Sequence, residues 1–240
     1  MADAAKQSKA AAWFPGHWEW IVALACAVGA FVLYRDYGIG WDSEVHALYG
    51  ESVLDYFLRG MTRPEETQME YLHLYGSLFD LPSAALHRLL GADKQAYRGL
   101  ISALFAVMTL PAVAKIARRI GGQALAVLAT AGLILTPQFI GQAFINSKDI
   151  PLACTVSWAV LAICRLVDDD QASWRSCLLL AVAFGAVLCT RVGGVFVFVF
   201  LAAAIGWRLL PAVVDGAWSR LRPARPGALA LKAFVSLGVI

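Results

Sequence analysis

Long apolar stretches separated by short polar connections dominate the chain. Stretches near the ~20 residues that a helix needs to cross the ~30 Å hydrocarbon layer run at roughly 18–34, 98–114, 122–138, 151–167, 176–190 and 193–207, and a seventh starts near Phe234 and reaches Ile240. This pattern predicts an all-α, polytopic membrane helix bundle forming a single transmembrane domain over residues 1–240. The one long connection is the first outer loop, residues 35–97, and loops of that length carry function or structure of their own. Inside it Val45, Leu48, Tyr49, Val53, Tyr56 and Phe57 recur at helical spacing between Glu44 and Leu58, and Gly60 ends the pattern. That spacing predicts an amphipathic helix lying along the membrane surface. A polar piece follows from Thr62 to Glu70. Tyr71 to Leu90 is apolar again but broken by Asp80, Pro82, His87 and Arg88, which reads as a second surface helix or a re-entrant segment.

Composition agrees with this class. With 60% hydrophobic and 15% charged residues among 240 and a mean hydropathy of +0.65, the chain is too apolar for one soluble core. Trp18 to Tyr34 is long for a signal-peptide core and lacks a small-residue cleavage site, so it is expected to remain as an anchor. If the N-terminus is cytoplasmic, the inside segments hold 12 of the 20 basic residues and the outside segments most of the acids, as the positive-inside rule requires. The runs Lys115 to Arg119 and Arg220 to Arg225 are then orientation signals and headgroup contacts, and no nucleic-acid partner is expected. The five cysteines fall within or at the ends of the spans, with no Cys-x-x-Cys pair, and read as small apolar fillers.

Two polar clusters emerge on the same face by this count: Trp41-Asp42-Ser43-Glu44-Val45-His46 and Asn146-Ser147-Lys148-Asp149-Ile150-Pro151. Asp42 and Glu44 stand at the start of the surface helix, where unpaired N–H groups favour anions. Either Asp42 or Ser43 simply caps that helix, or a carboxylate here is a general base acting on a hydroxyl acceptor. His46, four residues after Asp42, shares its helix face, which suits a hydrogen-bonded partner or half of a divalent-metal site. Asp149 either caps the following span or orients a polar substrate, with Lys148 neutralising a phosphate. Arg191 lies in a turn too short to carry it far from the bilayer, and such charges commonly face a cavity or an anion. A lipid phosphate at headgroup level is the obvious partner for Arg191, and equally for His73, Arg88 and Arg98. Glu51, Asp55 and the run Asp168-Asp169-Asp170 read as solvated faces.

The order of a first span, an acidic motif just outside it, a long outer loop with surface helices and a second acidic motif outside the third span resembles the membrane glycosyltransferases of the GT-C fold. The likeness is greatest to the branch of protein O-mannosyltransferases and aminoarabinose transferases, glycosyltransferase family 39. It is carried by Trp41 to Gly50, by Tyr71-Leu72-His73-Leu74-Tyr75-Gly76 and by Asn146 to Pro151. The resemblance implies Asp42 as catalytic base, with Glu44 as the alternative because Ser43 splits the family's acidic pair, and Asp149 as the second acidic residue. His46, His73, Lys148 and Arg191 would be substrate-binding. It also implies a polyprenyl-phosphate sugar donor, a hydroxyl acceptor on a protein, glycan or lipid, transfer with inversion on the extracytoplasmic side of a bacterial inner membrane, and an N-terminal portion of a longer module. It names no certain cofactor and leaves a divalent metal open. No Walker or Rossmann phosphate loop points to a nucleotide donor. A non-catalytic transporter or lipid-binding scaffold is the competing class, although transporters keep their polar groups near the midplane and these gather at one face.

Overall fold

A computed structural model describes residues 17–60, 72, 75–91, 94–168 and 173–214. The expectations for His73, the polar piece at 62–70, the Arg220 run and the seventh span lie outside the described residues.

Helix α1 (Trp18–Leu33) is apolar after Glu19. Its buried edge is made of small residues, Ala23 and Ala30, while Ile21, Leu24, Val28, Phe31 and Val32 are each about 60–70% exposed. A helix that turns its largest apolar side chains outward is matched to lipid, because water would penalise that surface heavily. Helix α2 (Ser43–Leu58) is the amphipathic helix of the long loop, and it ends before Gly60, whose φ of 72° suits glycine. Helix α3 (Asp80–Leu90) follows and packs against α2.

Helix α4 (Lys94–Leu135) spans 42 residues. A straight helix of that length would run about 63 Å, twice the hydrocarbon layer. Gly121 and Gly122 break it, the latter at φ 72°, and the chain doubles back so that Ile134 faces the same small cavity as Ala106 and Leu110. The two spans expected at 98–114 and 122–138 are therefore the two arms of α4. Helix α5 (Pro137–Ile145) opens with proline at its first turn, where the missing N–H costs nothing. Helices α6 (Asp149–Asp168), α7 (Trp174–Leu188) and α8 (Phe196–Val214) complete the bundle. Leu166, Leu180, Phe184, Val187, Val197 and Leu201 form their common core. By length and composition α4 and α6 can cross a membrane, and α1, α7 and Val192–Arg208 are shorter apolar helices. The protein is an all-α membrane helical protein.

Four expectations are corrected. The helix expected within Tyr71–Leu90 begins at Asp80, which is its first residue and not a break within it, while Tyr75 to Phe79 are extended and turn. The connection after the third span contains a helix, α5. Glu51 and Asp55 are not merely solvated, since Arg88 binds both, at 3.0 and 2.8 Å. At the end of the bundle away from these residues Asp168 pairs with Arg119, and buried Glu19 pairs with Arg118 at 2.8 Å.

Candidate functional site

At one end of the bundle the two polar clusters of the sequence meet. The ammonium of Lys148 bonds the carboxylate of Asp42, and Arg191 donates to Asp149 Oδ1 at 3.1 Å. These two couples come from three separate connections: the entry to α2, the α5–α6 link and the turn between α7 and α8. Local chemistry fixes each. Asn146 accepts from the N–H groups of Lys148 (3.2 Å) and Asp149 (2.9 Å) through its side-chain oxygen, and its amide donates to Asp149 Oδ2 at 3.1 Å. This Asx turn sets Lys148 and Asp149 at the start of α6, and Asp149 faces the positive end of that helix.

Arg191 is held differently. It is extended (φ −163°, ψ 144°) and pairs as an isolated antiparallel bridge with Tyr75. Gly76 N–H donates to Thr190 O at 3.2 Å and Leu78 N–H to Cys189 O at 2.9 Å. A side chain at Gly76 would collide with the Cys189 carbonyl, so glycine permits the close approach. The Tyr75 ring then lies under both cations, 5.2 Å from the Arg191 guanidinium and 5.9 Å from the Lys148 ammonium, an arrangement that stabilises positive charge.

Beneath this surface lies a buried ionic network. Asp80 Oδ2 accepts from His46 Nδ1 at 3.0 Å and Asp80 Oδ1 from Arg98 at 2.8 Å, and the three residues are only 3–4% exposed. The His46 ring meets Tyr75 edge-on at 5.0 Å, and Tyr49 donates to Tyr75 O at 2.9 Å. Tyr75 is thus locked from below by α2.

The candidate residues of the sequence fare unequally. Asp42, Lys148, Asp149 and Arg191 come together. His46 points inward to Asp80, as a support for Tyr75. Glu44 is exposed and pairs with none of the described cations. Arg88 and Arg98, grouped with the phosphate-facing cations, are committed to Glu51 and Asp55 and to Asp80. Asp80, Tyr75 and Asn146 had been given no role. The available signal for Asp80 was an acid inside an apolar stretch, which is costly without a partner and so points to one. Among the described residues no group of three or more His, Cys, Asp or Glu could hold a metal ion.

Burial tends to raise the Asp42 carboxyl, but the hydrogen bond and charge of Lys148, with the charge of His46, outweigh it and hold the group below the usual carboxylate range. Directly under the site, an apolar cavity of about 640 Å³ extends between α4, α6 and α7, from Leu78 past Phe105, Met108 and Ala183 to Leu161 and Arg165.

The family described as dolichyl-phosphate-mannose-protein mannosyltransferase matches residues 81–221. The matched stretch contains Lys148, Asp149 and Arg191, while Asp42 and Tyr75 precede it. No curated protein and no solved structure gives a significant match. With more than half of its residues inside that match, the chain belongs to the dolichyl-phosphate-mannose-protein mannosyltransferase family and is a membrane glycosyltransferase of the mannosyltransferase type.

Proposed function

We propose that the site moves a sugar from a polyprenyl-phosphate donor to a hydroxyl acceptor, with inversion, on the extracytoplasmic face of a multi-pass membrane protein, the inner membrane of a bacterium being its setting. The observation that carries this reading is the pair of couples Asp42–Lys148 and Asp149–Arg191 around Tyr75, placed over an apolar cavity long enough to take part of a prenyl chain. Such a donor needs cations for its phosphate and a dry groove for its chain, and the cations at this end of the bundle with the apolar cavity running away from them support the reading.

In this reading the donor phosphate displaces the carboxylates as partner of Lys148 and Arg191. A cation that leaves Asp42 for the phosphate does two things. It stabilises the leaving group as negative charge develops there, and it releases a carboxylate that was too acidic, while paired, to be a good proton acceptor. Asp42 then takes the acceptor hydroxyl proton as the acceptor oxygen bonds to the sugar C1 and the C1–O bond to phosphate breaks on the opposite face. Asp149, oriented by Asn146, holds sugar or acceptor hydroxyls. Glu44 is the alternative base, but its exposure and lack of a cation among the described residues favour Asp42.

The test is release of polyprenyl phosphate from a polyprenyl-phosphate hexose by membranes containing the protein. Asp42→Asn should lower release by about 10²–10⁴-fold, the usual worth of a general base, while donor binding persists. Equal release from wild type and Asp42→Asn, with Glu44→Gln inactive, would transfer the role to Glu44. Donor bound but never cleaved by either form would favour a lipid-binding scaffold.

A further inference from the structure

The end of the bundle opposite the site carries a second cavity, of about 400 Å³, with a different character. Lys115, Arg118, Arg119 and Arg165 line it from α4 and α6, and Glu19 and Trp20 close it from α1. The carboxylates do not balance these cations. Glu19 is taken by Arg118, through bonds of 2.8 and 3.4 Å, and Asp168 is taken by Arg119. Lys115 and Arg165 face the cavity with no ion pair among the described residues. Lys115 lies 4.6 Å over the Trp20 ring and 5.6 Å over Trp158, contacts that fix the ammonium in place; Glu19 attracts it from a distance but gives its hydrogen bonds to Arg118.

We infer that this cavity binds the phosphate headgroup of an anionic phospholipid, held between Lys115 and Arg165 and rimmed by Trp20. Three observations support this occupant over a soluble anion. The cavity is built at the end of apolar helices, and the adjoining face of α1 exposes Ile21 (60%) and Leu24 (66%), a surface suited to acyl chains. Trp20 is 38% exposed beside it, as tryptophan commonly is at headgroup level. Basic pockets between membrane helices favour anionic headgroups by charge and by fork-shaped bonding from arginine. The sequence alone offered only a basic run and a lone arginine some 45 residues later. The fold brings them into one cavity, so the headgroup contact expected of the run becomes a pocket shared with Arg165. Arg165 and Leu161 also line the far end of the apolar cavity under the site, so a headgroup held here caps the compartment below the donor chain. The inference is independent of the transfer reaction.

The purified full chain in detergent tests it, with lipid retention read by native mass spectrometry and confirmed by the shift in thermal unfolding. Phosphatidylglycerol should remain bound and raise Tm, phosphatidylcholine should do neither, and Arg165→Gln and Lys115→Gln should each weaken phosphatidylglycerol binding by about tenfold, equivalent to 1.4 kcal/mol. Arg175→Gln, a change to an exposed arginine outside the cavity, should bind as wild type. Equal loss with Arg175→Gln would reduce the effect to bulk charge and overturn the inference. So would binding of phosphatidylcholine at the same strength, or saturation by free glycerol phosphate with no gain from the acyl chains. Since Arg165 holds no described carboxylate, Arg165→Gln is the variant that leaves the fold intact if Lys115→Gln disturbs the packing of Trp20.

Discussion

Lys148 occupies the position where residue chemistry decides most. It gives its ammonium to Asp42 and stands over the Tyr75 ring, and its removal leaves a partly buried carboxylate with burial acting against its charge. In the wild type the depressed Asp42 carboxyl is ionised through the whole neutral range and titrates below the ordinary ~3.9. Lys148→Gln removes the largest opposing influence, so the acid limb of the kcat/KM profile should move upward, toward or past that ordinary value, and turnover at neutral pH should fall with the lost phosphate contact. Linkage gives a second readout with a fixed sign. A folded-state value below the unfolded one contributes stability that is present above the unfolded value and is lost as pH falls through the folded value. Wild type should therefore lose more stability in that acid window than Lys148→Gln, in which Asp42 no longer contributes while the paired Glu19 and Asp55 still do. An acid limb that stays in place in Lys148→Gln would separate Asp42 from the rate-determining ionisation.

At the scale of elements, the site depends on how α2, α3 and α4 are pinned together by His46, Asp80 and Arg98. A buried pair broken from one side leaves an uncompensated charge, at a cost of about 3–5 kcal/mol. Asp80→Asn strands Arg98, already carrying an unpartnered buried Nε, and should lower thermal stability by about that amount in a denaturation series. The loss should accompany, and not follow, loss of turnover, because Tyr75 rests on the same His46. Gly76→Ala acts in the opposite proportion. The added methyl meets the Cys189 backbone and should pry Tyr75 from Arg191 while the helices stay packed. Its expected signature is a turnover reduced at least tenfold with Tm close to wild type, and a Tm loss as large as that of Asp80→Asn would count against a local effect. The helices themselves were readable because an apolar stretch of spanning length is its own signal, and α2 because its six apolar residues keep helical phase. The start of α3 was not readable. Asp80 breaks an apolar pattern in one dimension, and only the approach of Arg98 and His46, brought by other helices, makes it an acceptable first residue of a buried turn.

For the whole molecule, the sequence separated the polar clusters by about a hundred residues, and the parity of the apolar stretches was enough to put them on one face. Parity says nothing of pairing, which is why Asp42 with Lys148 and Asp149 with Arg191 emerge only from the fold, and why Tyr75, although within a stretch that carries the family resemblance, has no sequence signal as the ring both cations share. The cavity below them was equally hidden, since it is the space left where α4 and α7, each packed against α6, hardly meet each other. That space makes a prediction of molecular scale. If the donor's prenyl chain descends from Leu78 toward Leu161, then Ala183, which lines the cavity between Ala186 near the site and Leu179 deeper down, stands partway along its path. Ala183→Phe should exclude about two methylenes at ~0.8 kcal/mol each, and so raise KM about tenfold for a long-chain donor. A donor of two isoprene units should reach no deeper than Ala186 and keep its wild-type KM, and kcat should hold for both because Asp42, Lys148 and Arg191 lie above the substitution. Equal KM changes for short and long donors would mean that the chain takes another route, and the small cavity between α1, α4 and α5, lined in part by Tyr37 and Phe144, would be the place to repeat the experiment.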